Sequence, residues 1–155
     1  MTGRTLRAAA LVLLLFPSAP PALAAVSEPI TGPARVLDGG TIEISPPKGA
    51  TVKLGLYGIV APGAQQKCMA KSLPWLCGAK SSEHLAQLIG RSQVTCRRVG
   101  VDGGSKPVAL CVANGRNLSE TMVRNGWAAA DPQQGKDYAL AEDSARRAKT
   151  GIWQQ

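Results

Sequence analysis

The sequence predicts an α+β fold in which a small closed sheet packs against short helices, and two observations support this class. Four segments have the composition and alternation of strands: 35–44, 51–59, 93–99 and 107–112. Three segments have helical periodicity, and they are interleaved with or follow the later strands: 78–89, 117–125 and 137–149. Short strands followed by interleaved helices, in about 120 residues, favour a closed sheet of the OB-barrel type.

The first two strands are predicted on either side of a proline-rich turn. Residues 35–44 form one strand, with a tight bend or bulge forced by Asp-Gly-Gly at 38–40. Residues 46–49 are the turn, and 51–59 return as a second strand interrupted by two glycines. Residues 61–76 are then predicted to be a long loop.

The second half of the chain alternates helices with a hairpin. In the helix at 78–89, Leu85, Leu88 and Ile89 share one face, and Gly90 fits a C-terminal stop. A glycine-rich turn at 102–105 joins the strands 93–99 and 107–112.

The last two helices carry clear boundary signals. Asn117 with Glu120 forms an N-terminal cap pattern for the helix at 117–125. The helix at 137–149 has a predicted buried stripe and a glycine stop at 151. The members of this stripe are Tyr138, Ala141, Ala145 and Ala148.

The N-terminal 24 residues have the pattern of a signal peptide. Arg4 and Arg7 precede an apolar run at 8–16, and Ala-Leu-Ala at 22–24 supplies small residues for cleavage. The apolar run is shorter than the roughly 20 residues of a membrane span, and prolines after it argue against the alternative of an uncleaved anchor. We therefore predict a signal peptide at 1–24, an extended leader at 25–34 and one domain at 35–155, in a periplasmic or secreted protein without a membrane span.

Four cysteines lie in the part predicted to be exported, where an even count favours two disulfides. Three connectivities are possible. Cys96 and Cys111 lie at similar distances on either side of the turn at 102–105, which favours their pairing and leaves Cys68 to pair with Cys77. The alternative is a zinc site, but no C-x-x-C pair is present and the single histidine falls in a helix.

The chain is basic, which suits a polyanionic partner. Its formal charge is +8, and +6 remains without the first 24 residues. Nucleic acid, an anionic polysaccharide and a lipid surface are the partners that this charge favours. The basic clusters at 97–98 and 146–149 are more typical of solvated faces than of a dedicated binding site.

The order of motifs resembles one known family. Four stretches carry the likeness: VLDGGTIEI at 36–44, LYGIVAPG at 56–63, VDGGSKPVALCVANGRNLSETMVRNGWA at 101–128 and DYALAEDSARRAKTGIW at 137–153. They resemble the staphylococcal nuclease (thermonuclease) family, and the four cysteines and Trp75 resemble its exported bacterial branch. The resemblance implies a five-stranded OB-type barrel with three helices.

The same resemblance implies a calcium site that this chain has lost. Members that cleave DNA or RNA hold calcium with several oxygens, since a hard cation takes six to eight of them. In the family's D-G-D-T pattern the first acid is kept as Asp38, but the second, a metal ligand, falls at Gly40. A further metal-binding aspartate falls at Val60.

The catalytic positions that the resemblance implies are also changed. The general base falls at Gly63, and the two phosphate-gripping arginines fall at Gly55 and Lys106. Lys106 keeps a positive charge without the bidentate geometry of arginine. Lys53 lies two residues from Gly55 on the same side of the strand, so Lys53 and Lys106 are the candidate phosphate-binding residues.

These substitutions lead to an expected function. The leading hypothesis is an exported, disulfide-stabilised pseudoenzyme that has lost phosphodiesterase activity and acts as a binding or interaction module. The expected partner is a polyanion or an envelope protein, the expected state is a monomer, and no cofactor is expected. The alternative is a weakly active, calcium-dependent DNA/RNA endonuclease that recruits acids such as Glu43 or Asp102, and a purely structural envelope protein is a third possibility.

Overall fold

The computed structural model describes residues 28–154, so the predicted signal peptide lies outside the described residues. Within this range the chain contains three α-helices: α1 at Cys77–Ile89, α2 at Leu118–Arg124 and α3 at Ala139–Ala148. The same range contains eleven strands: β1 Ile30–Gly32, β2 Ala34–Asp38, β3 Thr41–Ile44, β4 Val52–Leu56, β5 Ile59–Val60, β6 Cys68–Ala70, β7 Leu73–Trp75, β8 Val94–Val101, β9 Pro107–Ala113, β10 Arg116–Asn117 and β11 Ala129–Ala130. Short 3-10 turns at Lys136–Tyr138 and Gly151–Trp153 flank α3.

Most of the strands belong to one sheet. Among the described strands its order is β1-β8-β9-β4-β3-β2, and β10 pairs with β9 as a seventh strand. The β4–β9 pair is parallel and the other pairs of this sheet are antiparallel. The α+β class with three helices is thus confirmed. The pairings trace a mostly open sheet, and a closed barrel of five strands stays a prediction.

The first predicted strand is in fact a hairpin of two strands. β2 and β3 pair antiparallel, and Asp38 lies opposite Thr41 across a two-residue turn. The backbone N–H of Gly40 donates to Asp38 Oδ1 at 2.8 Å, so the carboxylate closes the turn. The predicted bend at 38–40 is therefore a complete chain reversal. A turn at residues 57–58 separates β4 from β5.

The loop predicted at 61–76 is wrong over its second half, because residues 68–75 form the β6–β7 hairpin. Its turn residues Lys71 and Ser72 both have positive φ angles, 47° and 67°. Asn-Gly or a similar pair is the usual signal for such a turn, and Lys-Ser carries no such signal. The disulfide Cys68–Cys77 ties this hairpin to the start of α1.

The core lies between the main sheet and the three helices. Its fully buried members include aliphatic side chains from β3, β4, α1 and α2: Ile42, Ile44, Leu54, Leu85, Leu118, Met122 and Val123. Asn117 accepts from the N–H of Glu120 and caps α2, as predicted. Most of the stripe on α3 is also buried, but Ala148 is exposed. The helix ends at Lys149, which has a left-handed conformation, and the N–H of Thr150 donates to the carbonyl of Ala145 at 3.2 Å.

Both disulfides have the predicted pairing. Cys96 and Cys111 lie directly opposite each other on β8 and β9 and are bonded, and Cys68 is bonded to Cys77. All cysteines of the described chain are in these bonds, so none is left as a zinc ligand. Over residues 28–154 no helix combines the length and the apolar character needed to cross a membrane.

Candidate active site

A cavity of about 260 Å³ opens where the β2–β3 turn, β4, β5 and the turn before β9 meet. It contains several positions that the resemblance marks as metal-binding or catalytic. Its lining residues are Asp38, Gly40, Thr41, Gly55, Leu56, Gly58, Ile59, Val60, Ala61, Asp102, Lys106, Val108, Asp131 and Gln134. The fold therefore brings the predicted site residues on three separate segments together.

The first wall of the cavity is the turn that Asp38 closes. Its Oδ1 atom already accepts a backbone hydrogen bond from Gly40. A Cβ added at Gly40 would lie 3.3 Å from Ala61 Cβ and 3.8 Å from Asp38 Oδ1. A side chain at position 40 would thus stand beside Asp38 after a shift of a few tenths of an ångström. Position 40 could therefore hold a side chain after that small shift, although this chain has glycine there.

Lys106 occupies the space that a side chain at position 55 would need. A Cβ added at Gly55 would lie 3.0 Å from Lys106 Cε and 3.4 Å from its Nζ. The ammonium of Lys106 lies 3.5 Å from Asp102 Oδ2 and 3.4 Å from Thr41 Oγ1. The positive charge of this wall therefore lies beside position 55, where the resemblance places an arginine, and is paired within the protein.

Asp102 is held by the turn that carries it. Its Oδ1 atom accepts from the N–H of Lys106 at 2.9 Å and from the N–H of Gly104 at 3.0 Å. The backbone hydrogen bond from Lys106 lowers the pKa of Asp102 from its ordinary value, and the Gly104 bond and the Lys106 charge act in the same direction. Asp102 is therefore a poor proton acceptor at neutral pH, because its ionised form is the stabilised one.

Asp131 and Gln134 are lining residues that the sequence reasoning missed. β11 pairs with β5, and this long-range pairing brings Asp131 beside the cavity. Asp131 Oδ1 accepts from the backbone N–H groups of Gln133 and Gln134, at 2.7 and 3.2 Å. An acid before a proline indicates a turn in the sequence. To place that turn at the site, one would have had to predict that β5 pairs with β11, and each of these strands has only two residues.

Three residues named as candidates lie outside the cavity lining. Lys53 is exposed on β4, and its register partner Glu43 forms an ion pair with Arg35. Glu43 is therefore engaged elsewhere and is not among the lining residues. Gly63 also lies outside the lining, and a Cβ added there would meet no heavy atom within 4 Å. Val60 does line the cavity, with 54% of its surface exposed.

The residues around this cavity do not fit the calcium that the resemblance implies. A dedicated calcium site needs six to eight oxygens, several of them from free carboxylates. One oxygen of each of Asp38, Asp102 and Asp131 already accepts backbone N–H bonds, and the other oxygen of Asp102 faces the Lys106 ammonium. In the described part of the chain no three His, Cys, Asp or Glu residues are grouped so that they could hold a metal ion.

His84 lies away from this cavity, in a packed aromatic cluster. Its Nε2 atom is 2.9 Å from Asn125 Nδ2, and its ring stacks on Trp127 with a centroid distance of 5.6 Å. Burial lowers the pKa of His84. Trp75 meets Trp127 edge to face at 6.2 Å. The contacts of His84 are those of a structural residue between α1 and the segment after α2.

Comparison with known proteins adds two kinds of match. Residues 53–155 match the family model described as staphylococcal nuclease homologue. The succinoglycan biosynthesis protein ExoI of Rhizobium meliloti is 32% identical over 134 residues, which are 84% of this chain and 68% of that protein. An uncharacterized endonuclease of Haemophilus influenzae is 26% identical over 121 residues, which are 77% of this chain and 63% of that protein. This chain thus spans about two thirds of each relative and belongs to the staphylococcal nuclease homologue family.

Proposed function

We propose that the protein is an exported member of this family that no longer hydrolyses phosphodiesters efficiently and acts as a binding or interaction module. The observation that carries the proposal is the type of residue at three positions, which are Gly40, Val60 and Gly63. They have no carboxylate, although position 40 has nearly enough room for one and position 63 faces open space. Losing one transition-state donor typically costs about 100- to 1000-fold in rate. Here the base, both arginines and two metal ligands are replaced.

The charge of the cavity supports the same proposal. Its lining has three aspartates and one lysine. A phosphodiester is an anion, so without a bound cation it meets net repulsion in this cavity. The lysine does not offset this repulsion fully, because Asp102 pairs with it. We therefore expect a polyanionic ligand to bind on another surface of this basic protein. The alternative is that the partner is an uncharged ligand or a protein.

Single-stranded nucleic acid is not favoured over other partners. Non-specific binding of single strands relies on exposed aromatic side chains on which bases stack. In the described residues none of the tyrosines and tryptophans is classed as exposed: Tyr57, Trp75, Trp127, Tyr138 and Trp153. One relative is named for succinoglycan biosynthesis and another as an endonuclease, so a glycan and a nucleic acid are both ligands to test.

Export and barrel closure belong to this proposal as well. Two disulfides favour an oxidising compartment such as the periplasm or the exterior.

Closure of the sheet is supported by its two edge strands, which are consecutive in the chain. β1 pairs with β8 and β2 with β3, and Pro33 alone separates them. Residues 30–38 would then act as one strand that joins both ends of a five-stranded barrel.

The test is incubation of the disulfide-intact protein with single-stranded DNA and with RNA, first with calcium and then with EDTA. We expect no calcium-dependent cleavage above the level of the buffer. An Asp38→Ala variant purified in parallel is the control for contaminating nuclease. Calcium-dependent cleavage that survives purification and disappears in Asp38→Ala would contradict the proposal.

That contrary result would support a weakly active, calcium-dependent endonuclease. The specific observation in its favour is the convergence of Asp38, Asp102 and Asp131 on one cavity. Such an enzyme would have to bind calcium through carboxylate oxygens that are not already engaged, because the Oδ1 atoms accept backbone hydrogen bonds. Its activity would then fall in Asp131→Asn as well as in Asp38→Ala, whereas a contaminant would respond to neither substitution.

A further inference from the structure

We propose that the β6–β7 hairpin docks the protein onto an anionic lipid bilayer surface. This docking does not depend on whether the cavity retains any phosphodiesterase activity. Among the described strands the hairpin pairs only with itself, in a two-stranded sheet apart from the main one. It is defined here as residues 67–76, and it exposes apolar side chains with basic side chains around them.

Strand alternation separates the hairpin into two faces. Cys68 lies opposite Trp75, and these residues are half-buried towards the protein. Met69 lies opposite Pro74, and because successive side chains alternate, these residues point the other way. On this outward face Met69 is 57% exposed, and Leu76 at the base of the hairpin is 50% exposed. Leu73 lies opposite Ala70 and so shares the face of Cys68 and Trp75, but beside the turn it is 71% exposed. The hairpin therefore exposes apolar side chains on its outward face and, through Leu73, at its tip.

Two contacts attach the hairpin to the rest of the protein. The disulfide Cys68–Cys77 fixes the base of the hairpin to the first residue of α1. Trp75, on the inner face, packs edge to face on Trp127. The hairpin is thus anchored from its inner side while its outer side is free. A preformed surface loses little conformational entropy when it binds, so exposed apolar side chains here can contribute to binding.

The charges around the face identify the partner. Lys67 and Lys71 are exposed on the hairpin, and no Asp or Glu occurs between residues 64 and 82. Lys149 lines a shallow groove together with Lys71 and Leu73. Aliphatic side chains flanked by lysines match the interface of an anionic bilayer, where headgroups attract the cations and acyl chains accept the apolar groups. Nucleic acid offers no such apolar layer, and the tryptophan of the hairpin faces inward, away from a stacking role.

The test is co-sedimentation of the disulfide-intact protein with vesicles of phosphatidylcholine alone and with vesicles that also contain phosphatidylglycerol. We expect binding to the anionic vesicles that weakens as salt is raised. Leu73→Ser should weaken it about tenfold, because a largely exposed leucine loses its transfer into the interface. Lys71→Glu should weaken it by at least about fivefold, because the attraction of one lysine is lost.

Two matched variants control for general effects. Leu140 is 81% exposed on α3, so Leu140→Ser removes a leucine elsewhere that is at least as exposed as Leu73. Lys48→Glu makes the same change of charge at the exposed turn before β4. Both should bind as the parent protein does. Circular dichroism checks that each variant is folded, and the mass of the intact protein checks that its disulfides have formed. If Leu73→Ser is unstable, Lys71→Glu still tests the proposal.

Several results would overturn the proposal. They are no binding to either vesicle, equal binding to neutral and anionic vesicles, or equal losses in the hairpin and control variants. Self-association that depends on concentration and disappears in Leu73→Ser would also overturn it, because a second copy of the chain would then cover the face. Cleavage of nucleic acid would leave this proposal untouched and would bear only on the cavity.

Discussion

The cavity and the β6–β7 hairpin differ in how their chemical groups are engaged. In the cavity the carboxylates of Asp38, Asp102 and Asp131 all accept hydrogen bonds from nearby backbone, and Lys106 pairs with Asp102. On the hairpin Met69, Leu73 and Leu76 are at least half exposed, and among the described strands β6 and β7 pair only with each other. The charged groups of the cavity are thus paired within the protein, while the exposed apolar side chains of the hairpin are not covered by it.

The largest effect that tests this contrast is the removal of each disulfide. The Cys96–Cys111 bond closes a sequence separation of 15 residues within the main sheet. Replacing both cysteines by alanine should lower the free energy of unfolding by about 3 kcal/mol, measured by chemical denaturation. Replacing Cys68 and Cys77 should open residues 67–76 to proteolysis and weaken vesicle binding, with a smaller change in global unfolding. Equal global losses in both variants would show that the hairpin is part of the cooperative core.

A second test reconstructs the cavity. Gly40→Asp, Val60→Asp and Gly63→Glu return the carboxylates, and Gly55→Arg with Lys106→Arg returns the guanidinium groups. We expect calcium-dependent cleavage of single-stranded DNA to rise by at least about 100-fold over the parent protein, since several transition-state contacts return together. The control carries Asn, Asn and Gln at positions 40, 60 and 63 with the same arginines. If this neutral control is equally active, the carboxylates are not the missing groups.

The smallest expected effect concerns the pH dependence of Asp102. Hydrogen bonds from Lys106 and Gly104 and the lysine charge hold the pKa of Asp102 below its ordinary 3.8 in the folded protein. The stabilisation is therefore complete above the unfolded-state pKa and is lost as the pH falls through the lower, folded-state pKa. The melting temperature of Asp102→Asn should lie below that of the parent protein at neutral pH, and the gap should narrow below about pH 3.8. A difference in melting temperature that does not change with pH would mean that the charge of Asp102 does not contribute to stability.

The sequence was sufficient for the elements that carry local signals. The periodicity of α1, the Asn117 cap of α2 and the glycine-rich turn between β8 and β9 each appear in the residues themselves, and the structure has them. Because this turn lies midway between Cys96 and Cys111, it also favoured their pairing, which the structure confirms. In each case the deciding interaction lies within a short stretch of chain.

The parts that could not be predicted depend on distant partners or unusual turn residues. The β6–β7 hairpin turns through Lys71 and Ser72 rather than through glycine or asparagine, so nothing local indicated it. Asp131 joins the cavity only because β11 pairs with β5, and each of these strands has two residues. The exposure of Ala148 follows from where the chain leaves α3, which helical periodicity alone does not specify.

The position of Lys106 has a consequence for substitutions at position 55. A Cβ at position 55 would lie 3.0 Å from Lys106 Cε and 3.2 Å from Val108 Cγ1, so these side chains would have to shift by a few tenths of an ångström to admit it. Positions 55 and 106 therefore share one volume. Substitutions at the two positions are expected to be non-additive, because the side chain at one limits the space left for the other.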